Sequence, residues 1–173
     1  MLIFRGTITQ PHRIQYMEKY YGHPCSDVGQ INPSGVNPLW IKKKISIPQH
    51  LSYKFILSLE GNDVATNLKW IMSSNSIAVM PKPKFETWFM EGTLIPDHHY
   101  IQIKEDYSDL EEKLAFYINN KTAAENIVRN ANAYVQLFKN WEMENALSIL
   151  VLHKYFYCTG QLQQSPAPFY IQA

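Results

Sequence analysis

Residues 53–81 read YKFILSLEGNDVATNLKWIMSSNSIAVMP, and this stretch constrains the fold more than any other. Two short apolar runs, Phe55–Leu59 and Ile77–Met80, stand on either side of a segment with apolar residues at helical spacing, Val64, Leu68, Ile71 and Met72. Strands that are apolar throughout belong to sheets buried on both faces, and such sheets are parallel with helical crossovers. Between the first run and the helical stretch lie Glu60, Gly61, Asn62 and Asp63. A glycine after a strand and before a helix lets backbone approach a ligand. Asn62 or Asp63 is placed to cap the helix, and N–H groups near Val64–Thr66 would then be open to an anion. With a single glycine the pattern fits a plain turn as well as a phosphate cradle. The carboxylates of Glu60 and Asp63 suit sugar hydroxyl donors better than phosphates.

The rest of the chain repeats the alternation. Leu2–Phe4 is a strand, Pro11–Tyr21 a helix with Ile14, Met17 and Tyr21 on one side, and Tyr100–Ile103 a further strand. Residues 22–50 hold four prolines and two glycines past the helix-ending Gly22, and predict loops with a short strand near Cys25–Val28. Phe85–Met90 predicts a short helix. Ser108–Glu111 and Thr122–Glu125 have the form of capping boxes, each followed by an apolar stripe, and another helix is expected over 142–157. The expected fold is α/β: a Rossmann-like parallel sheet with helices on both faces and a helical C-terminus. One lobe is expected over 1–159, with a loosely held tail over 160–173. Ligands of such sheets sit at the carboxyl ends of the strands, here the loops after Phe4, Leu59 and Met80.

Hydrophobic residues make up 46% of the 173 residues, enough for a core. Sixteen basic against 15 acidic residues leave a net charge of +1, which argues for no nucleic-acid partner. Lys42–Lys44 reads as a solvated face. The two cysteines, Cys25 and Cys158, form no framework and point to a reducing compartment. No spaced metal-ligand motif occurs, and His98 and His99, if on a strand, would point to opposite faces. The apolar stretch 146–158 contains His153 and Lys154 and is too short to span a bilayer. Arg13, in the first turn of its helix, can reach the loop after Phe4, where a guanidinium would clamp a phosphate.

Several segments together resemble glycosyltransferase family 90. These are Phe4-Arg5-Gly6 followed by Pro11-x-Arg13; His50-x-x-Tyr53-Lys54-Phe55 running to Gly61; Leu94-x-Pro96-x-x-His99-Tyr100-Ile101 followed by Asp106; and the helical pair 107–139. They keep their order over residues 2–139. Glu60-Gly61-Asn62-Asp63 with Asn67-Leu68-Lys69-Trp70 looks most like the bacterial lipopolysaccharide branch. The resemblance implies the C-terminal, donor-binding half of a GT-B enzyme, a UDP-sugar as substrate, inverting transfer to a glycan acceptor such as lipopolysaccharide core, and no metal. It implies a cytoplasmic place, with peripheral membrane association and self-association through the lobe face both compatible.

By resemblance, Arg13 matches the arginine on the donor diphosphate. Glu60, Gly61, Asn62, Asp63 and Asn67 would line the donor site, and Glu86 would be a candidate for the ribose. Asn67 stands where eukaryotic relatives have a second arginine. Lys69, about 200° further round a helix, does not replace it. The catalytic base of the family is expected in an N-terminal lobe, so Asp27, Glu60, Asp63 and Glu86 are not assigned that role. The alternatives are an inactive lobe that binds nucleotide sugar, and an unrelated Rossmann-like nucleotide binder.

Overall fold

The computed structural model describes residues 1–162. These fall into two units, Met1–Val135 and the residues from Gln136 onward. The first holds five strands: β1 Leu2–Gly6, β2 Ser26–Gln30, β3 Phe55–Leu57, β4 Ile77–Met80 and β5 Ile101–Gln102. All pair in parallel, in the order β2-β1-β3-β4-β5. The α/β, Rossmann-like expectation holds.

Strand register sorts the apolar residues onto two faces. Leu2, Phe4, Val28, Phe55, Leu57, Ile77, Val79 and Ile101 share one face and one core cluster. Three helices bury that face: α1 (Pro11–Tyr20) with Tyr16, Met17 and Tyr20, α4 (Leu110–Asn119) with Leu110, Leu114 and Tyr117, and α5 (Lys121–Gln136) with Ala124 and Ile127. Ile3, Ile56 and Ala78 point the other way, where α3 (Leu68–Met72) buries Leu68, Ile71 and Met72. Asn132 of α5 donates through Nδ2 to the carbonyls of Met72 (3.1 Å), Ser74 (2.8 Å) and Val128 (3.0 Å), tying α5 to the end of α3.

The Phe4-Arg5-Gly6 motif has a structural explanation. Phe4 is core, and a Cβ on Gly6 would stand 2.4 Å from its ring, so only glycine fits there. Arg5 forks onto Asp27 of the edge strand, 2.9 Å to each carboxylate oxygen, and also donates to the Asp27 carbonyl at 2.8 Å. Pro11 opens α1, where its missing N–H costs nothing. After α1, Gly22 takes φ 77°, a left-handed turn that suits glycine.

Several local expectations are corrected. The helix after Gly61 begins at Leu68 rather than near Val64, so the backbone at 64–66 is not helical, and neither Asn62 nor Asp63 caps it. Phe85–Met90 is not helical. Met90 has φ 51°, and a 3-10 turn follows at Glu91–Thr93. Asp109 stands at the α4 N-cap without a side-chain cap bond, and Asn120 rather than Thr122 caps α5 by accepting the Ala123 N–H at 3.2 Å. Within the segment read as loop, Ser46 and Gln49 form a reciprocal capping box on α2 (Ile47–His50). His98 and His99 lie in a turn, not on a strand: Asn130 contacts the first ring, and the second accepts the Ile95 N–H.

The second unit holds a 3-10 turn, Leu137–Lys139, and α6, Trp141–Cys158, capped by the Asn140 side chain accepting from Met143 N at 3.1 Å. Of the tail expected over 160–173, residues 163–173 lie outside the described ones. No described helix is long and apolar enough to cross a membrane.

Replacing Asn132 by alanine removes its donor bonds and leaves carbonyls at the α3 end unpaired. A loss of about 1–3 kcal/mol in unfolding free energy is expected, read from the urea midpoint.

Candidate functional site

The chain order reverses between β1 and β3: β2 lies on one side of β1, and β3, β4 and β5 follow on the other. Connections leave in opposite directions at such a point and open a crevice at the carboxyl ends. A cavity of about 550 Å³ occupies it. Its wall is drawn from four strand ends: Gln10, His12 and Gln15 after β1; Ser58, Glu60, Gly61, Val64 and Leu68 after β3; Pro81–Phe85 after β4; and Glu105–Tyr107 after β5.

Arg13 stands behind this wall. Its Nε donates to the Glu60 carbonyl (2.9 Å), one Nη to the Thr7 carbonyl (2.8 Å) and the other to the Leu59 carbonyl (2.7 Å). It thereby fastens the loop after β1 to the loop after β3. Three of its five N–H groups are used, leaving two. Burial lowers its pKa from the ordinary value. Among the described residues it has no ion-pair partner, so carbonyl dipoles and the Phe4 ring, 5.9 Å away, are what offset its charge. A half-buried cation without a counter-ion favours an anion nearby. Its Nη2 lies 3.4 Å from where a Cβ on Gly61 would stand, so Gly61 is the thin place between guanidinium and cavity.

The wall carboxylates are already engaged. Glu60 Oε1 accepts the N–H groups of Lys84 and Phe85, both at 3.0 Å. Glu105 pairs with Lys84 at 2.9 Å, and Asp106 accepts the Ser108 N–H at 3.0 Å. Glu91, 2% exposed, pairs with Lys69 at 2.8 Å and accepts from the N–H and hydroxyl of Thr87. Burial pushes the Glu91 carboxyl up, but Lys69 and the Thr87 bonds outweigh it and leave the pKa below the ordinary value. Lys82, also in the wall, is exposed and has no ion-pair partner among the described residues.

Of the residues singled out from sequence, Glu60 and Gly61 are in the wall. Asn62 sits at its rim, accepting from Gln10 at 3.1 Å, and exposed Asp63 takes the N–H of Val64 at 2.7 Å. Asn67 turns back to β3, accepting from the Ser58 hydroxyl and donating to the Leu57 carbonyl, both at 3.0 Å. Exposed Glu86 is outside the wall, with its carboxylate over Gly92. Sequence reasoning missed His12, whose Nε2–H donates to the Glu60 carbonyl at 2.8 Å. The loop after Met80, named from the sequence without its residues, is the Pro81–Phe85 strap.

The family model described as Glycosyl transferase family 90 matches residues 37–155. The O-glucosyltransferase LpsA of Dichelobacter nodosus is 45% identical over 155 residues, 90% of this chain and 49% of that protein. The uncharacterized protein 179R of Invertebrate iridescent virus 6 is 26% identical over 69% of this chain and 11% of its own length. The uncharacterized protein 027R of Frog virus 3 (isolate Goorha) is 24% identical over 87% of this chain and 16% of its own. The chain belongs to glycosyl transferase family 90. It spans about half the length of LpsA and a smaller share of the viral proteins.

The Lys69–Glu91 pair yields a pH prediction. The Glu91 pKa is lower folded than its ordinary 4.5, so its contribution to stability is full above 4.5 and lost as pH falls through the folded value. Acid titration of stability should therefore show a falling limb below pH 4.5 that Glu91→Gln flattens. Lys69→Met, which leaves the buried carboxylate unpaired, should cost about 3–5 kcal/mol at neutral pH.

Proposed function

We propose that this chain is the donor-binding part of a glycosyltransferase. It would hold a nucleotide sugar, a UDP-sugar, in the cavity, for transfer to a glycan acceptor of the lipopolysaccharide-core kind. The observation that carries this reading is the half-buried Arg13 guanidinium, without a carboxylate partner among the described residues, behind Gly61 at the switch point of the sheet. Family membership supports it, and likeness to a protein named O-glucosyltransferase makes a glucosyl donor the first to test.

In this reading the diphosphate lies against Gly61, where no side chain intervenes, within the field of Arg13 and in reach of Lys82. As the glycosidic bond breaks, negative charge builds on the departing diphosphate, and fixed positive charge lowers the barrier by stabilising it. Asn62 and Asp63 at the rim read sugar hydroxyls, Asn67 braces the loop against β3, and Glu86 is the outlying candidate for the ribose. The two cations at the cavity serve the diphosphate, so the reading calls for no metal ion.

Calorimetric titration with UDP-glucose and other UDP-sugars should give saturable binding that EDTA leaves unchanged. Arg13→Ala should weaken it by about tenfold or more, the worth of a hydrogen-bonded charge. Heatless titrations of a folded sample contradict the reading, and equal binding by Arg13→Ala removes the phosphate assignment. Because this reading expects the catalytic base in an N-terminal lobe, outside the donor-binding part, the chain by itself should give no sugar transfer. Turnover would place the base within these residues.

A further inference from the structure

The strap Pro81-Lys82-Pro83-Lys84-Phe85 has unusual chemistry for a ligand wall. Its two prolines carry no N–H and fix φ, so it has three backbone donors. Glu60 takes two of them, the N–H groups of Lys84 and Phe85, on one carboxylate oxygen. The backbone carbonyl of the same residue accepts from His12 at 2.8 Å and Arg13 at 2.9 Å. Glu60 therefore joins the α1 side of the cavity to the strap side.

The two sides differ chemically. The order β1-β3-β4 sets α1 and the strap on opposite sides of the β3 loop. The α1 side is polar, with Gln10, His12 and Gln15. The strap side adds apolar surface, from Val64, Leu68, Met80, Pro83 and Phe85, between the exposed lysines Lys82 and Lys84. Phe85 lines the cavity, is 44% exposed as a residue, and its ring has no ring partner among the described residues. An apolar slot beside an unstacked ring suits a flat heteroaromatic group.

We infer that Glu60 is a positioning residue: by holding the Lys84 and Phe85 N–H groups it sets the strap so that the Phe85 ring stacks on the donor's nucleobase. This rests on the donor-site reading. It assigns the Glu60 carboxylate to the wall's architecture rather than to sugar hydroxyls, and makes the Phe85 strap the base-reading element. Pre-setting a wall in its bound form removes the ordering cost from binding.

The test is a double-mutant cycle on nucleotide affinity, with UDP, GDP and ADP as probes and the tightest one carried through. Glu60→Ala and Phe85→Ala are each expected to weaken binding about tenfold. The double variant is expected to be no weaker than about the worse single, because both remove the same stacking wall. Glu60→Gln keeps an oxygen for the two N–H groups and is expected to stay within about threefold of wild type. Losses that multiply in the double variant, wild-type affinity in Phe85→Ala, or Glu60→Gln as weak as Glu60→Ala each overturn the inference. If the folded wild-type chain binds none of the three nucleotides, the donor-site reading fails, and this inference with it. Phe85→Ala changes an exposed side chain, so wild-type affinity there overturns the inference even if Glu60→Ala does not fold.

Discussion

One residue, Glu60, ties together the loops at the carboxyl ends of three strands. Its carbonyl accepts from His12 and Arg13 of α1, and its carboxylate accepts from Lys84 and Phe85 beyond β4. Loops at a topological switch point diverge, so nothing in the sheet itself holds the crevice to a fixed width. These four bonds do. A cavity with fixed walls loses little entropy when a ligand enters, and the rest of the site depends on that.

The electrostatics follow from the same arrangement. Arg13 spends three donors on carbonyls and none on a carboxylate, so its charge stays available to whatever occupies the cavity. Acidic side chains in the wall oppose an anion less for being held elsewhere: Glu105 by Lys84, Glu91 by Lys69, and Glu60 and Asp106 by backbone N–H groups. The Lys69–Glu91 pair also fixes the segment beyond the strap through Thr87. A carboxylate buried this deeply persists only while its cation and hydrogen bonds hold it.

Much of the fold was legible in the sequence, and for one reason. Strands covered on both faces must be apolar throughout, so Leu2–Phe4, Phe55–Leu59 and Ile77–Met80 declared themselves, and parallel pairing followed. The loops named from that pattern are the ones that build the cavity. What stayed hidden depended on tertiary partners. Val64 has helical spacing to Leu68, yet the chain at 64–66 is not helical, because Asn67 is drawn to Ser58 and Leu57 of the β3 segment. Phe85–Met90 looked helical, but Glu60, Glu91 and the left-handed Met90 take that stretch elsewhere. Glu60 itself was picked out as a sugar-hydroxyl ligand. Its tie to residues 24 and 25 positions on was beyond any local rule. The resemblance to family 90, carried by motifs in order, reached the family that the comparisons established.

The most direct test of the central claim is amide shift mapping by NMR as UDP is titrated into the chain. Saturable shifts concentrated at His12–Arg13, Glu60–Val64 and Lys84–Phe85 are expected, the three places that Glu60 joins. Absence of shifts there, or shifts confined to the opposite, amino end of the strands, would contradict the account.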